Sequence, residues 1–185
     1  MQKQKIILLT SVFALLLLWS ACNKKEQAVA PPLPGNEPLT SLVLKAINTN
    51  DATDTPSASW IQLDPTGTTP PDTSHAMLRL KAGASYNVTV QLLDSLNNIT
   101  SEIKERENYH LFCFDVAPGL SLTCKPTDLD TNPTPLPIGL QDLFTTGVAS
   151  TGYLEVTLHH QPNVKDGTCA PGSVDIDGTF TVKIQ

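Results

Sequence analysis

From Ser41 onward, apolar residues recur at every second position in short runs. The run "SLVLKAI" (41–47) turns Leu42, Leu44 and Ala46 to one face. "AMLRLKAG" (76–83) sets Ala76, Leu78 and Leu80 against Met77, Arg79 and Lys81. "SYNVTVQLLD" (85–94) aligns Tyr86, Val88, Val90 and Leu92. A period of two is the mark of a strand buried on one side. "SWIQLD", "YHLFCFDV", "LSLTCKP", "GYLEVTLHH" and "GTFTVKIQ" continue the series, with Pro, Gly, Asn and Asp between them. That punctuation predicts turns. Lys81–Ser85 reads as a tight hairpin, and Ala117-Pro118-Gly119 as a second one. "NPTPLPIGL" is a proline-rich crossing loop, and "QPNVKDGTCAPGSVDID" links the last two strands.

One stretch breaks the alternation. "NNITSEIKEREN" predicts a helix of two turns at most, capped by Thr100 or Ser101, with Glu102 in its first turn. The fold class that follows is all-β: an immunoglobulin-like antiparallel β-sandwich of seven or eight strands with at most one short helix. The antibody pattern of Cys…Trp…Cys is absent from the sequence.

The N-terminus has a different texture. Lys3 and Lys5 precede an apolar run from Ile6 to Leu18, and Ser20-Ala21-Cys22 follows it. A charged start, an apolar stretch and small residues at a cut are the layout of an export signal. The run is shorter than the roughly 20 residues needed to span a bilayer. Small residues ahead of a cysteine resemble the bacterial lipobox, with Trp19 at a position that is usually aliphatic. The expected organisation is a signal peptide over 1–21, a tether lipidated at Cys22 over 22–38, and one sandwich domain over 39–185. Each buried acyl CH₂ contributes about 0.8 kcal/mol, so two chains anchor stably. The tether, "KKEQAVAPPLPGNEP", is proline-rich and extends about 3.1 Å per residue in polyproline form. The expected location is the outer membrane, on either its periplasmic or its cell-surface face.

Charge narrows the partners. Without residues 1–21 the chain keeps 10 basic and 18 acidic side chains, a net charge of −8. Such a surface repels nucleic acid, which is not an expected partner. The expected partners are the membrane, through the lipid, and an envelope protein or small ligand. Three cysteines remain after Cys22: Cys113, Cys124 and Cys169. A two-residue turn at Pro118-Gly119 sets Cys113 opposite Cys124, the candidate disulfide. A three-residue loop sets Phe112 there and leaves Cys124 as a free, buried thiol. Cys169, in a loop, is within the reach of either.

The catalytic chemistry is sparse. There is no HExxH, paired CxxC, phosphate-binding loop or GxSxG, and no catalytic residue is assigned. Asp175, Asp177 and Gly178 faintly resemble a calcium loop, but the ligand spacing is missing and turn formation explains them. The candidate metal ligands are Glu102, Glu105, His110 and His160, because imidazole with carboxylate suits zinc or a similar divalent metal, the one cofactor these residues suggest. His159 and His160 are neighbours on a strand, so they face opposite ways. A solvated acidic helix with surface histidines explains the same residues.

The segments "SYNVTVQLLD", "ITSEIKERENYHLF", "PIGL", "TTGVASTGYLEVTLHHQPN", "KDG" and "VDIDGTFTVKIQ", in this order, resemble a group of small bacteroidete lipoproteins labelled type 1 periplasmic-binding-fold proteins. The resemblance covers roughly residues 76–185 and the lipid signal. It implies an acidic segment ahead of a His-aromatic strand, matched by Glu102, Glu105 and His110. It also implies a His-x-Pro-Asn segment, matched by His160, Pro162 and Asn163. Lys104, Arg106 and Asn108 dilute the acidic segment here. A type 1 binding fold needs alternating strands and helices over a longer chain, and this pattern has neither. The functional expectation is a non-enzymatic, lipid-anchored binding module of the cell envelope. The alternative is a lipoprotein that binds a zinc-like metal.

Overall fold

The structure is a computed structural model, described for residues 39–64, 68–95 and 97–185. The expected signal peptide, tether and lipidation residue Cys22 lie outside the described residues. The elements are β1 (Ser41–Asn48), β2 (Ser57–Ile61), β3 (Met77–Leu80), β4 (Ser85–Asp94), β5 (Asn97–Asn98), α1 (Thr100–Glu105), β6 (His110–Val116), β7 (Leu122–Pro126), β8 (Gln141–Thr146), β9 (Ser150–His160) and β10 (Ser173–Ile184). A single 3-10 turn, Glu107–Tyr109, leads into β6.

They form two sheets. One runs β2-β1-β4-β8-β7, with β5 beside β4; the other runs β3-β10-β9-β6. The fold is an all-β sandwich, as the alternation predicts. Its strand order is that of the immunoglobulin fold: β1-β4-β8-β7 stand as A-B-E-D, and β10-β9-β6 as G-F-C. β3 adds to β10 in parallel, and β2 extends the other sheet beyond β1.

The predicted inward faces pack as read. Leu42, Leu44, Tyr86, Val88, Val90 and Leu92 are fully buried, opposite Leu154, Val156, Leu158, Phe180 and Val182. Each such side chain contributes about 1.5–3 kcal/mol by leaving water. Phe114 meets Phe144 edge-on across the two sheets, with centroids 5.5 Å apart. Gly178 is required by close approach, since a Cβ there would lie 2.8 Å from Leu42 and 3.0 Å from the Trp60 indole.

Three expectations are corrected by this topology. β3 and β4 are not a hairpin, because β3 joins β10 and β4 joins β1 and β8. β6 and β7 are not a hairpin either, because they belong to different sheets. The turn at Ala117–Gly119 does form, with the Leu120 N–H donating to the Ala117 carbonyl at 3.1 Å and Gly119 at φ 89°. It carries the chain across the sandwich instead of back along one sheet. The candidate Cys113–Cys124 bridge is therefore absent, and the open alternatives, a free Cys124 and a Cys169 paired with Cys113, are what form. Cys113 bonds Cys169, with Cα atoms 6.0 Å apart, and Cys124 is free. This bond ties the β9–β10 loop onto β6. Closing a 56-residue separation contributes about 4 kcal/mol on a chain-entropy basis.

β8 is a strand that the pattern does not predict. Its inward residues are Asp142, Phe144 and Thr146, all buried, so two of three core positions are polar. The Thr146 hydroxyl bonds the backbone of the turn after β3, at the Lys81 carbonyl (2.7 Å) and the Ala84 N–H (2.9 Å). Asp142 finds no hydrogen-bond partner for either oxygen among the described residues. α1 is six residues long and has no side-chain cap; Thr100, an expected cap, instead accepts the Leu92 N–H at 3.0 Å.

Candidate functional site

Two places bring chemistry together. The first lies where β6 begins and β9 ends. His110 and His160 are direct partners in the antiparallel register, so both point to the same face. Their rings stack at 4.9 Å between centroids, inclined by 16°. β10 contributes Asp175 at an irregularity between Val174 and Ile176, the kind of bulge that re-aims a side chain. Asp175 Oδ2 lies 3.6 Å from His110 Nε2. His110 is fully buried, and its Nδ1 lies 3.1 Å from the Arg106 carbonyl oxygen. The His160 imidazolium is disfavoured by burial, then by His110 and Arg106, with Asp175 opposing, and its pKa is lowered.

The β9–β10 loop frames this end. The Gln161 amide donates to the carbonyls of Thr168 (2.9 Å) and Pro171 (3.0 Å). Lys165 enters the protein, and its ammonium donates to Asp130 Oδ2 and to the Glu107 carbonyl, both at 2.8 Å. Lys104 pairs with the Glu107 carboxylate.

The expected metal set is only partly assembled. His110 and His160 meet, while Glu102 and Glu105 are exposed on α1. Among the described residues, no group of three or more His, Cys, Asp or Glu side chains is arranged to hold a metal ion. Stacking explains this for the histidines. Imidazole lone pairs lie in the ring plane, so nearly parallel rings do not converge on one point. Asp175, the carboxylate that does approach His110, is invisible to spacing because a bulge places it.

The second place is a groove of about 450 Å³ along the edge shared by β2 and β3. The Ser59 N–H donates to the His75 carbonyl at 2.9 Å, and Ile61 and Asp72 exchange backbone bonds at 3.2 and 2.7 Å. These bonds draw the segment before β3 against the edge of β2. Ser57, Ser59, Ser74, His75, Met77 and Arg79 line the groove over Val43 and Ala58, without an acidic side chain. Arg79 lies beside Lys183 in register, and Lys45 lies beside Ser57. Among the described residues Arg79 makes no ion pair. The Asp72 carboxylate is held below its ordinary pKa, mainly by hydrogen bonds from Ser74. The outward alternation of β3 placed Arg79 in the sequence, but only the fold brings it to the serines.

No family model, curated protein or solved structure matches the chain.

Proposed function

We propose that this is a non-enzymatic, lipid-anchored protein of the bacterial outer membrane whose sandwich binds an anionic small ligand, or an anionic group of a partner protein. The β2–β3 groove carries the reading. On a chain of strongly negative net charge, it gathers Arg79, His75 and three serine hydroxyls, with Lys183 and Lys45 on neighbouring strands. Charge of one sign in a concave surface attracts the opposite sign, and hydroxyls with a guanidinium suit carboxylate, sulfate or phosphate oxygens. The Cys113–Cys169 disulfide supports an oxidising, exported setting. The export signal and Cys22 in the sequence support the anchor.

Citrate, titrated by calorimetry into the full chain in detergent, probes the groove. Binding is expected in the millimolar range, at least fivefold weaker in Arg79→Ala and unchanged in Lys125→Ala on β7. Equal weakening in both variants would reduce the effect to net charge and remove the groove as the site.

A further inference from the structure

The opposite features of His110 point to a second site. A carbonyl oxygen only accepts, so Nδ1, at 3.1 Å from the Arg106 carbonyl, carries the ring proton. In the neutral ring Nε2 then presents a bare lone pair. That atom is buried without a hydrogen-bond partner, and it faces Asp175 Oδ2 at 3.6 Å. A buried lone pair facing a carboxylate oxygen is favoured by a positive charge between them. A proton would draw them to about 2.7–3.2 Å. Nitrogen and oxygen bound tetrahedrally to one zinc ion, at about 2.0–2.2 Å each, lie about 3.4 Å apart. The observed 3.6 Å is wide enough for the second spacing.

We propose that His110 and Asp175 are the preformed half of a site for one divalent transition-metal ion of the zinc class, completed by His160. The Asp175 side chain is 25% exposed, which gives an ion a path from solvent. The His110 N–H bonded to a carbonyl is the outer-shell contact that orients a ligating imidazole. His160 is half-buried and stacked on His110; to join the site its ring must leave the stack by rotating about its side-chain bonds, a rearrangement that binding requires. Water takes the fourth position. Two imidazoles with one carboxylate favour zinc-class ions over calcium or magnesium. The site is separate from the β2–β3 groove and does not depend on it.

The test titrates the full chain in detergent with Zn²⁺ by calorimetry and with Co²⁺ by visible absorption. One ion per chain is expected, with the cobalt band of a low-coordinate nitrogen–oxygen site. Asp175→Asn and His160→Phe are expected to weaken binding at least tenfold, while His75→Ala leaves it unchanged. Neither of the weakening substitutions is at a fully buried position, and a thermal melt checks that each variant is folded. Absence of binding to the parent chain would overturn the site. Equal binding in the parent, Asp175→Asn and His160→Phe would overturn it as well.

Discussion

Asp142→Asn is expected to stabilise the protein by roughly 3–5 kcal/mol at pH 8 and by little at pH 4. The carboxyl projects into the core from β8, 2% exposed, with neither oxygen hydrogen-bonded. Burial, then the nearby Asp128 charge, raises its pKa from 3.8 to about 8. The folded state therefore holds a proton that the unfolded chain has released once pH exceeds the ordinary carboxylate value. The stability linked to that proton is complete below pH 4. It falls as pH rises from about 4 toward 8, and levels off above. Denaturant unfolding of parent and variant across this range measures the difference. A constant gap between the two curves would show that Asp142 titrates normally. The same carboxyl stands beside Cys124, whose thiol is pushed upward by burial and then by Asp142. That free cysteine is consequently a poor nucleophile at neutral pH.

Lys165→Met is expected to cost about 3–5 kcal/mol, because it strands Asp130 as a buried charge. The two side chains are 2% and 0% exposed and meet at 2.8 Å. Burial alone would raise the Asp130 pKa; Lys165 and the N–H groups of Leu136 and Asn132 outweigh it, and the net shift is downward. The pair's contribution is thus complete at neutral pH and is lost only as pH falls below the ordinary carboxylate range. Chemical denaturation at pH 7, with the Cys113–Cys169 bond intact, provides the number. A loss below 1 kcal/mol would place water beside Asp130. Adding Asp130→Leu is not expected to restore stability, since the Asn132 and Leu136 N–H groups bonded to that carboxylate would lose their acceptor.

The contrast between Asp142 and the apolar strands explains what was legible in the sequence. β3 and β4 alternate, as does β1 from Leu42 onward, and the apolar residues the pattern names are buried in each; β1 also buries Ser41 and Asn48 at its ends. β8 escapes the pattern because Asp142 and Thr146 occupy core positions. The turns at Lys81–Ser85 and Ala117–Gly119 were visible, but turn chemistry is local, while the choice of sheet depends on the strand order of the whole sandwich. That choice also decides the disulfide: β7 carries Cys124 to the far sheet, and the β9–β10 loop brings Cys169 to Cys113. The candidate site divides in the same way. His110 and His160 were singled out by residue type, and the β6–β9 register brings them together. The exposed Glu102 and Glu105 were favoured by proximity along the chain. Asp175 replaces them through a bulge that leaves no trace in spacing. The groove combines β2 with the segment before β3, elements separated by a long loop.

The most direct test of the central proposal is the intact mass of the protein isolated from the outer-membrane fraction, beside Cys22→Ser. The expected parent chain begins at Cys22, carries the added mass of thioether-linked lipid and remains with the membrane, whereas Cys22→Ser does neither. A parent chain with an unmodified Cys22, or with residues 1–21 retained, would contradict the lipid anchor.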